Sequence, residues 1–172
     1  MGELVISVRY GRPEDAAALS GVFDAAWREA YQGIIPAVAL SRMIARRGPR
    51  WWRAAPGRGR GLVVLEVGER IAGYAVYGRC RDRIVVADCM IDELYLAPEH
   101  QGLGFGTRLF RAVHNGLRDG GADTVGVWAL EDNERAVAFY RRLGGRFVAR
   151  ASERFGAVAL GKIAFLFGGP PR

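Results

Sequence analysis

Glu93-Leu94-Tyr95-Leu96-Ala97-Pro98-Glu99-His100-Gln101-Gly102-Leu103-Gly104-Phe105-Gly106-Thr107-Arg108 is the most informative stretch of the chain. It reads as a strand, a turn and the start of a helix. Glycines at 102, 104 and 106 let the backbone approach a ligand without a Cβ in the way. The first turn of a helix leaves amide N–H groups unpaired, and these favour an anion. Residues 101–107 therefore have the make-up of a diphosphate cradle, although the same glycines also suit a plain tight turn. Two other phosphate loops are excluded. A P-loop requires Gly-Lys-Ser/Thr, which the chain lacks. The dinucleotide fingerprint requires G-x-G-x-x-G early in a parallel βαβ unit, with an acid about 20 residues on. Gly102, Gly104 and Gly106 are spaced differently and lie late in the chain.

Upstream of this stretch, residues 4–10 alternate as a strand. Arg12-Pro13-Glu14-Asp15 opens a helix, because proline suits the first turn and acids favour the positive end of the dipole. Leu19, Val22, Phe23, Ala26, Trp27, Ala30 and Tyr31 follow at helical spacing, and Gly33 ends the run. Pro36 starts a shorter helix through Ala45. Residues 48–60, rich in Gly, Pro and Arg, read as a mobile loop. Residues 61–67 and 70–77 flank Gly68-Glu69 as a hairpin, and 84–96 is a longer strand-forming run.

Downstream, Leu109, Phe110, Val113 and Leu117 mark a helix stopped by Gly120-Gly121, and 124–130 is a strand. Asp132-Asn133 caps a helix with the stripe Ala136, Phe139, Tyr140 and Leu143, ended by Gly144-Gly145. Strands at 146–151 and 158–167 finish the fold. The order βααβββαβαββ is mixed α/β, with most strands joined as hairpins and helices covering the sheet. Residues 1–168 are expected to form a single domain, and 169–172 a frayed tail.

The chain has 172 residues, half of them apolar and a quarter charged. That composition excludes disorder and collagen-like structure. No apolar run approaches the ~20 residues of a membrane span. MGELVISVRY lacks the apolar core of a signal peptide. Cys80 and Cys89 are the only cysteines, too few for a disulfide-stapled secreted fold. A cytoplasmic protein is the expectation. Lys and Arg total 25 against 18 acids, a net charge of +7, and Lys162 is the only lysine. Such arginine richness follows from GC-rich coding, or from an anionic ligand that a planar guanidinium fork binds. The arginines are scattered, and the cluster at 42–60 with Trp51 and Trp52 fits no nucleic-acid-binding motif. Nucleic acid is therefore not an expected partner.

Gln101-Gly102-Leu103-Gly104-Phe105-Gly106 resembles the Q/R-x-x-G-x-G/A signature of the Gcn5-related N-acetyltransferases (GNAT). Leu94-Tyr95-Leu96-Ala97-Pro98 looks like the strand before it. Asn133-Glu134-Arg135-Ala136-Val137-Ala138-Phe139-Tyr140-Arg141-Arg142-Leu143-Gly144 is similar to the second motif, N-x-x-A-x-x-F/L-Y-x-x-x-G. The element order agrees over nearly the whole chain, while the first 60 residues share no equally sharp signature. The resemblance implies an acyl-CoA N-acyltransferase fold: a central, mostly antiparallel sheet with a splayed parallel strand pair, and helices on both faces.

It further implies acetyl-CoA as acetyl donor, no metal, and direct transfer to a primary amine on a small molecule, peptide or protein N-terminus. Leu94, Tyr95 and Leu96 would meet the pantetheine arm, and the amides of residues 101–107 the diphosphate. Arg108 and Arg141 are candidates for the 3′-phosphate. Asn133 caps its helix and is a second cofactor contact. Tyr140 holds the general-acid position for the leaving thiolate; otherwise it is a core aromatic. Trp128 stands where some relatives carry a glutamate base, so Glu93 is the candidate base, with Asp92 on the opposite strand face or a water chain as rivals. Trp27, Tyr31 and Trp128 are assigned to the acceptor side. His100 and His114 read as structural, and 48–60 as a lid or a surface loop. A homodimer is expected because relatives often pair. A non-catalytic acyl-CoA-binding regulatory module and a purely structural protein are the competing readings.

Overall fold

The computed structural model describes residues 5–169. The chain runs β1 (Ile6–Tyr10), α1 (Ala16–Tyr31), α2 (Ala37–Ala45), α3 (Pro49–Ala54), β2 (Gly61–Val67), β3 (Arg70–Arg79), β4 (Cys89–Leu96), α4 (Phe105–Asp119), β5 (Thr124–Leu130), α5 (Glu134–Arg142), β6 (Arg146–Phe155) and β7 (Val158–Gly168). Short 3₁₀ turns precede α1 and α4 and follow α3. Leu4 and residues 170–172, assigned above to the first strand and the tail, lie outside the described residues; of the tail only Gly169 is described.

One seven-stranded sheet has the order β1-β2-β3-β4-β5-β7-β6. Every neighbouring pair is antiparallel except β4–β5. The helices cover both faces. On one side α1, α2 and α3 bury Leu19, Phe23, Leu40 and Trp52 against Val64 and Tyr74. On the other, Leu109, Phe110 and Val113 of α4 and Tyr140 of α5 pack on Ile91, Val125 and Phe165. This is the expected fold class.

Two expectations need correction. Residues 48–60 are not a free loop. Pro49 opens α3 at its first turn, and Trp52 is fully buried between Phe23, at 5.6 Å between ring centroids, and Tyr74, at 4.9 Å. Burying an indole outweighs the loop-forming tendency of the Gly, Pro and Arg around it. The strand expected over 84–96 begins only at Cys89. Asp82 Oδ1 accepts the amides of Ile84 and Val85 at 2.7 and 2.8 Å, which turns the chain back before the strand starts.

Arg9 ties three elements together. It makes a two-armed pair with Asp15 at 2.8 and 2.9 Å and donates to Glu66 Oε1 from Nε and Nη2 at 2.9 and 2.6 Å. These hydrogen bonds outweigh burial and hold both carboxyls below their usual values. A carboxyl depressed in the fold adds stability above its unfolded value of about 4 and loses it as pH falls through the folded value. Arg9→Gln is therefore expected to lower the urea midpoint clearly at about pH 7, with the gap to wild type narrowing at about pH 3. An equal gap at both pH values would show that the pair contributes no linked stability.

Candidate active site

The geometry starts in β4. Val76 pairs with Glu93 but Tyr77 with Ile91, so Asp92 is an extra residue, a β-bulge. A bulge bends its strand. The parallel pairing of β4 with β5 stops at that place: Cys89, Met90 and Ile91 face Val125, Gly126 and Val127, and no pairing continues beyond. From Asp92 to Leu96 the edge of β4 that faces β5 is therefore open, and the two strands form a V.

The bulge also changes what faces where. Asp92 was expected opposite Glu93. Instead its carboxylate pairs with Arg60, whose guanidinium lies over Gly78, on the face where Val76 and Glu93 meet the α1 layer. Both acids thus turn to the same side, because the extra residue breaks the period-two alternation.

α4 starts at the mouth of the V. Gln101 Nε2 donates to the Leu96 carbonyl at 3.1 Å and fastens the turn to the strand end. Gly102 and Gly104 have φ of +76° and +82°, a conformation L side chains rarely adopt. Gly104 is the N-cap of α4 and supplies no capping side chain. The amides of Phe105, Gly106 and Thr107 are consequently left without a side-chain partner among the described residues, at the positive end of a 15-residue helix. Gly106 also has a packing reason: a Cβ there would meet the Phe139 ring at 3.3 Å, so it lets α4 approach α5. Arg108 donates to the Ile6 carbonyl at 2.7 Å, which engages one of the two arginines assigned to a 3′-phosphate.

α5 begins as read. Asn133 Oδ1 accepts the Ala136 amide at 3.2 Å. Tyr140 is 6% exposed, with its ring among Phe139, Phe165 and Phe110 at 5.2, 6.1 and 6.4 Å. Its hydroxyl has no hydrogen-bond partner among the described residues. Burial first, and then Tyr31, push the phenol well above its ordinary value, so it keeps its proton at neutral pH.

On the α1 side, Trp27 lies 5.2 Å from Tyr31 and 5.8 Å from Tyr95, and the hydroxyls of Tyr31 and Tyr95 are hydrogen-bonded. Glu93 accepts from Arg47 through Oε1 and from the Tyr74 hydroxyl through Oε2, the latter at 2.7 Å. Burial above all, and then the Glu93 charge, raise the Tyr74 phenol far above its usual range, so Tyr74 remains a donor. Trp128 Nε1 donates to Asp82 Oδ2 at 2.8 Å, and Lys162 lies 4.7 Å above its ring. His114 stacks on Phe110 at 5.6 Å, and His100 lies 6.1 Å from Phe105. Arg47, Tyr74 and Asp82 escaped the sequence reading. Each lies far along the chain from the residue it serves, so no local spacing announces it.

The sequence model of the Acetyltransferase (GNAT) family matches residues 22–145. The chain belongs to the GNAT acetyltransferase family. Among curated relatives, the uncharacterized N-acetyltransferase YuaI of Bacillus subtilis (strain 168) is 25% identical over 159 residues, spanning 92% of this chain and 91% of that one. The L-amino acid N-acyltransferase MnaT of Escherichia coli (strain K12) is 24% identical over 146 residues, 81% and 78% of the two chains. The crystal structure of the PaiA N-acetyltransferase from Thermoplasma acidophilum, in complex with coenzyme A, superposes with a TM-score of 0.72. That likeness, at 16% identity over 92% of this chain and 98% of the other, is one of GNAT fold. Among the described residues, no helix is long and apolar enough to cross a membrane.

Proposed function

We propose that this GNAT acetyltransferase moves the acetyl group of acetyl-CoA directly to a primary amine. The observation that carries the reading is the uncapped start of α4 at the mouth of the β4–β5 gap. An open strand edge fits the pantetheine arm as an added strand, and unclaimed amides at a helix start fit a diphosphate. Leu94, Tyr95 and Leu96 would meet the arm, residues 101–107 the diphosphate, and Asn133 the cofactor at the start of α5.

The amine nitrogen attacks the thioester carbon, the carbon–sulfur bond breaks, and the thiolate takes a proton from Tyr140. The amine proton passes to Glu93 or through water to solvent. Glu93 accepts from Arg47 at Oε1 and from Tyr74 at Oε2, which leaves each oxygen a further lone pair for the amine proton. Trp27, Tyr31 and Trp128 would flank the acceptor.

Gly104→Asp tests the cradle. Aspartate tolerates the left-handed conformation better than most residues, and its carboxylate would cap the same amides while repelling a phosphate. Calorimetry is expected to show coenzyme A affinity reduced about ten-fold or more. Unchanged affinity would place the diphosphate elsewhere. A second reading, a non-catalytic acyl-CoA-binding module, draws on the tryptophan at 128 and the engaged Glu93. Tight donor binding with no thiol release on any amine would select it.

A further inference from the structure

Arg47 lies in the short connection between α2 and α3, yet its guanidinium is held as a ligand would be. The guanidinium carbon is 4.6 Å from the Trp51 ring centroid, 5.2 Å from Phe23 and 5.7 Å from Trp27. Nη1 donates to Glu93 Oε1, while Tyr74 holds the other Glu93 oxygen. Aromatic faces around one carboxylate are the composition that recognises an organic cation. The Arg47 side chain is 27% exposed and that of Glu93 12%, so the box opens to solvent along the path by which Arg47 enters. Its floor is the same stretch of β4 that lines the open V.

We infer that this box is a cation site for the acceptor, and that Arg47 is a stand-in which an alkylammonium or alkylguanidinium group of the acceptor displaces. The word acceptor rests on the acetyltransferase reading; the cation site does not. While Arg47 is seated, both Glu93 oxygens are engaged. An entering cation replaces Arg47 at Oε1, so occupation of the box and departure of Arg47 are one event. A ligand must also outcompete a tethered guanidinium present at high effective concentration. Neutral and anionic amines lack the charge to do so, which makes Arg47 a specificity-determining residue.

The test needs no acetyl donor. Arg47→Ala is titrated with ethylguanidinium and n-butylammonium chloride while tryptophan fluorescence is followed. It is expected to bind both saturably and about ten-fold more tightly than wild type. Butanol and butyrate are expected to give no saturable change. Adding Trp51→Leu removes one wall and is expected to weaken the binding again. Arg47→Met, which keeps the apolar stem, replaces Arg47→Ala if thermal melting shows the latter unfolded. No saturable cation binding by a folded Arg47 variant overturns the inference. So does butyrate binding that wild type shows and the variant loses, since Arg47 would then be an anion receptor. Thiol release from acetyl-CoA is assayed separately on the same proteins. Its absence with every amine would refute the enzymatic reading and leave the cation result standing.

Discussion

Tyr140→Phe is expected to lower kcat for acetyl transfer about 1000-fold while leaving the fold intact. The ring is held by Phe139, Phe165 and Phe110, and the substitution keeps every one of those contacts. The hydroxyl has no hydrogen-bond partner among the described residues, so its removal leaves no partner group stranded. In the proposed mechanism, what is lost is the proton for the departing thiolate. On the proposed reading donor binding draws on the β4 edge and the α4 amides, so the KM for acetyl-CoA is expected to hold. The pH profile gives a second readout. Burial raises the phenol above its ordinary value of 10.0. A required acid with a raised pKa stays protonated through neutrality and fails only as pH climbs past that raised value. The wild-type rate should therefore carry no alkaline limb from this group until well above pH 10, and the variant none at all. A wild-type rate in Tyr140→Phe, measured as thiol release, would return this residue to its other reading, a core aromatic.

The largest stability effect is expected at Trp52. Its side chain is fully buried, with Trp51 and Tyr74 at 4.9 Å and Phe23 at 5.6 Å. Truncation to alanine should cost about 3–5 kcal/mol, from lost transfer energy plus the cavity left behind. For a chain of this size that corresponds to a fall in Tm of roughly 10 °C. The indole N–H is buried and has no partner among the described residues. Trp52→Phe removes that unpaired donor along with some volume, so its cost should be much smaller, about 1 kcal/mol. Calorimetric unfolding of the two variants separates packing from polarity. Comparable losses would mean that ring area is not what anchors α3. Because α3 also carries Trp51, Trp52→Ala should in addition loosen the seat of Arg47.

Much of this protein was written in local sequence. Strand-forming runs, helical spacing and the Pro, Gly and Asn residues that bound them placed β1, α1, α2, β2, β3, α4, β5, α5, β6 and β7, because these signals are local. The glycine pattern at 102 and 104 announced a turn, and Asn133 announced its own cap, since both are properties of a few adjacent residues. The family, too, was legible, because its two motifs are short and each lies on one element. What only the tertiary structure decided is what comes together across the chain. The α3 helix exists because Phe23 and Tyr74 bury Trp52. The V opens where Asp92 bulges against Tyr77 and Val76. Glu93 meets Arg47 and Tyr74 only because β3, β4 and the α2–α3 connection converge. A bulge changes which face a side chain takes, and an ion pair between distant positions depends on the fold that joins them. Neither leaves a mark in local spacing.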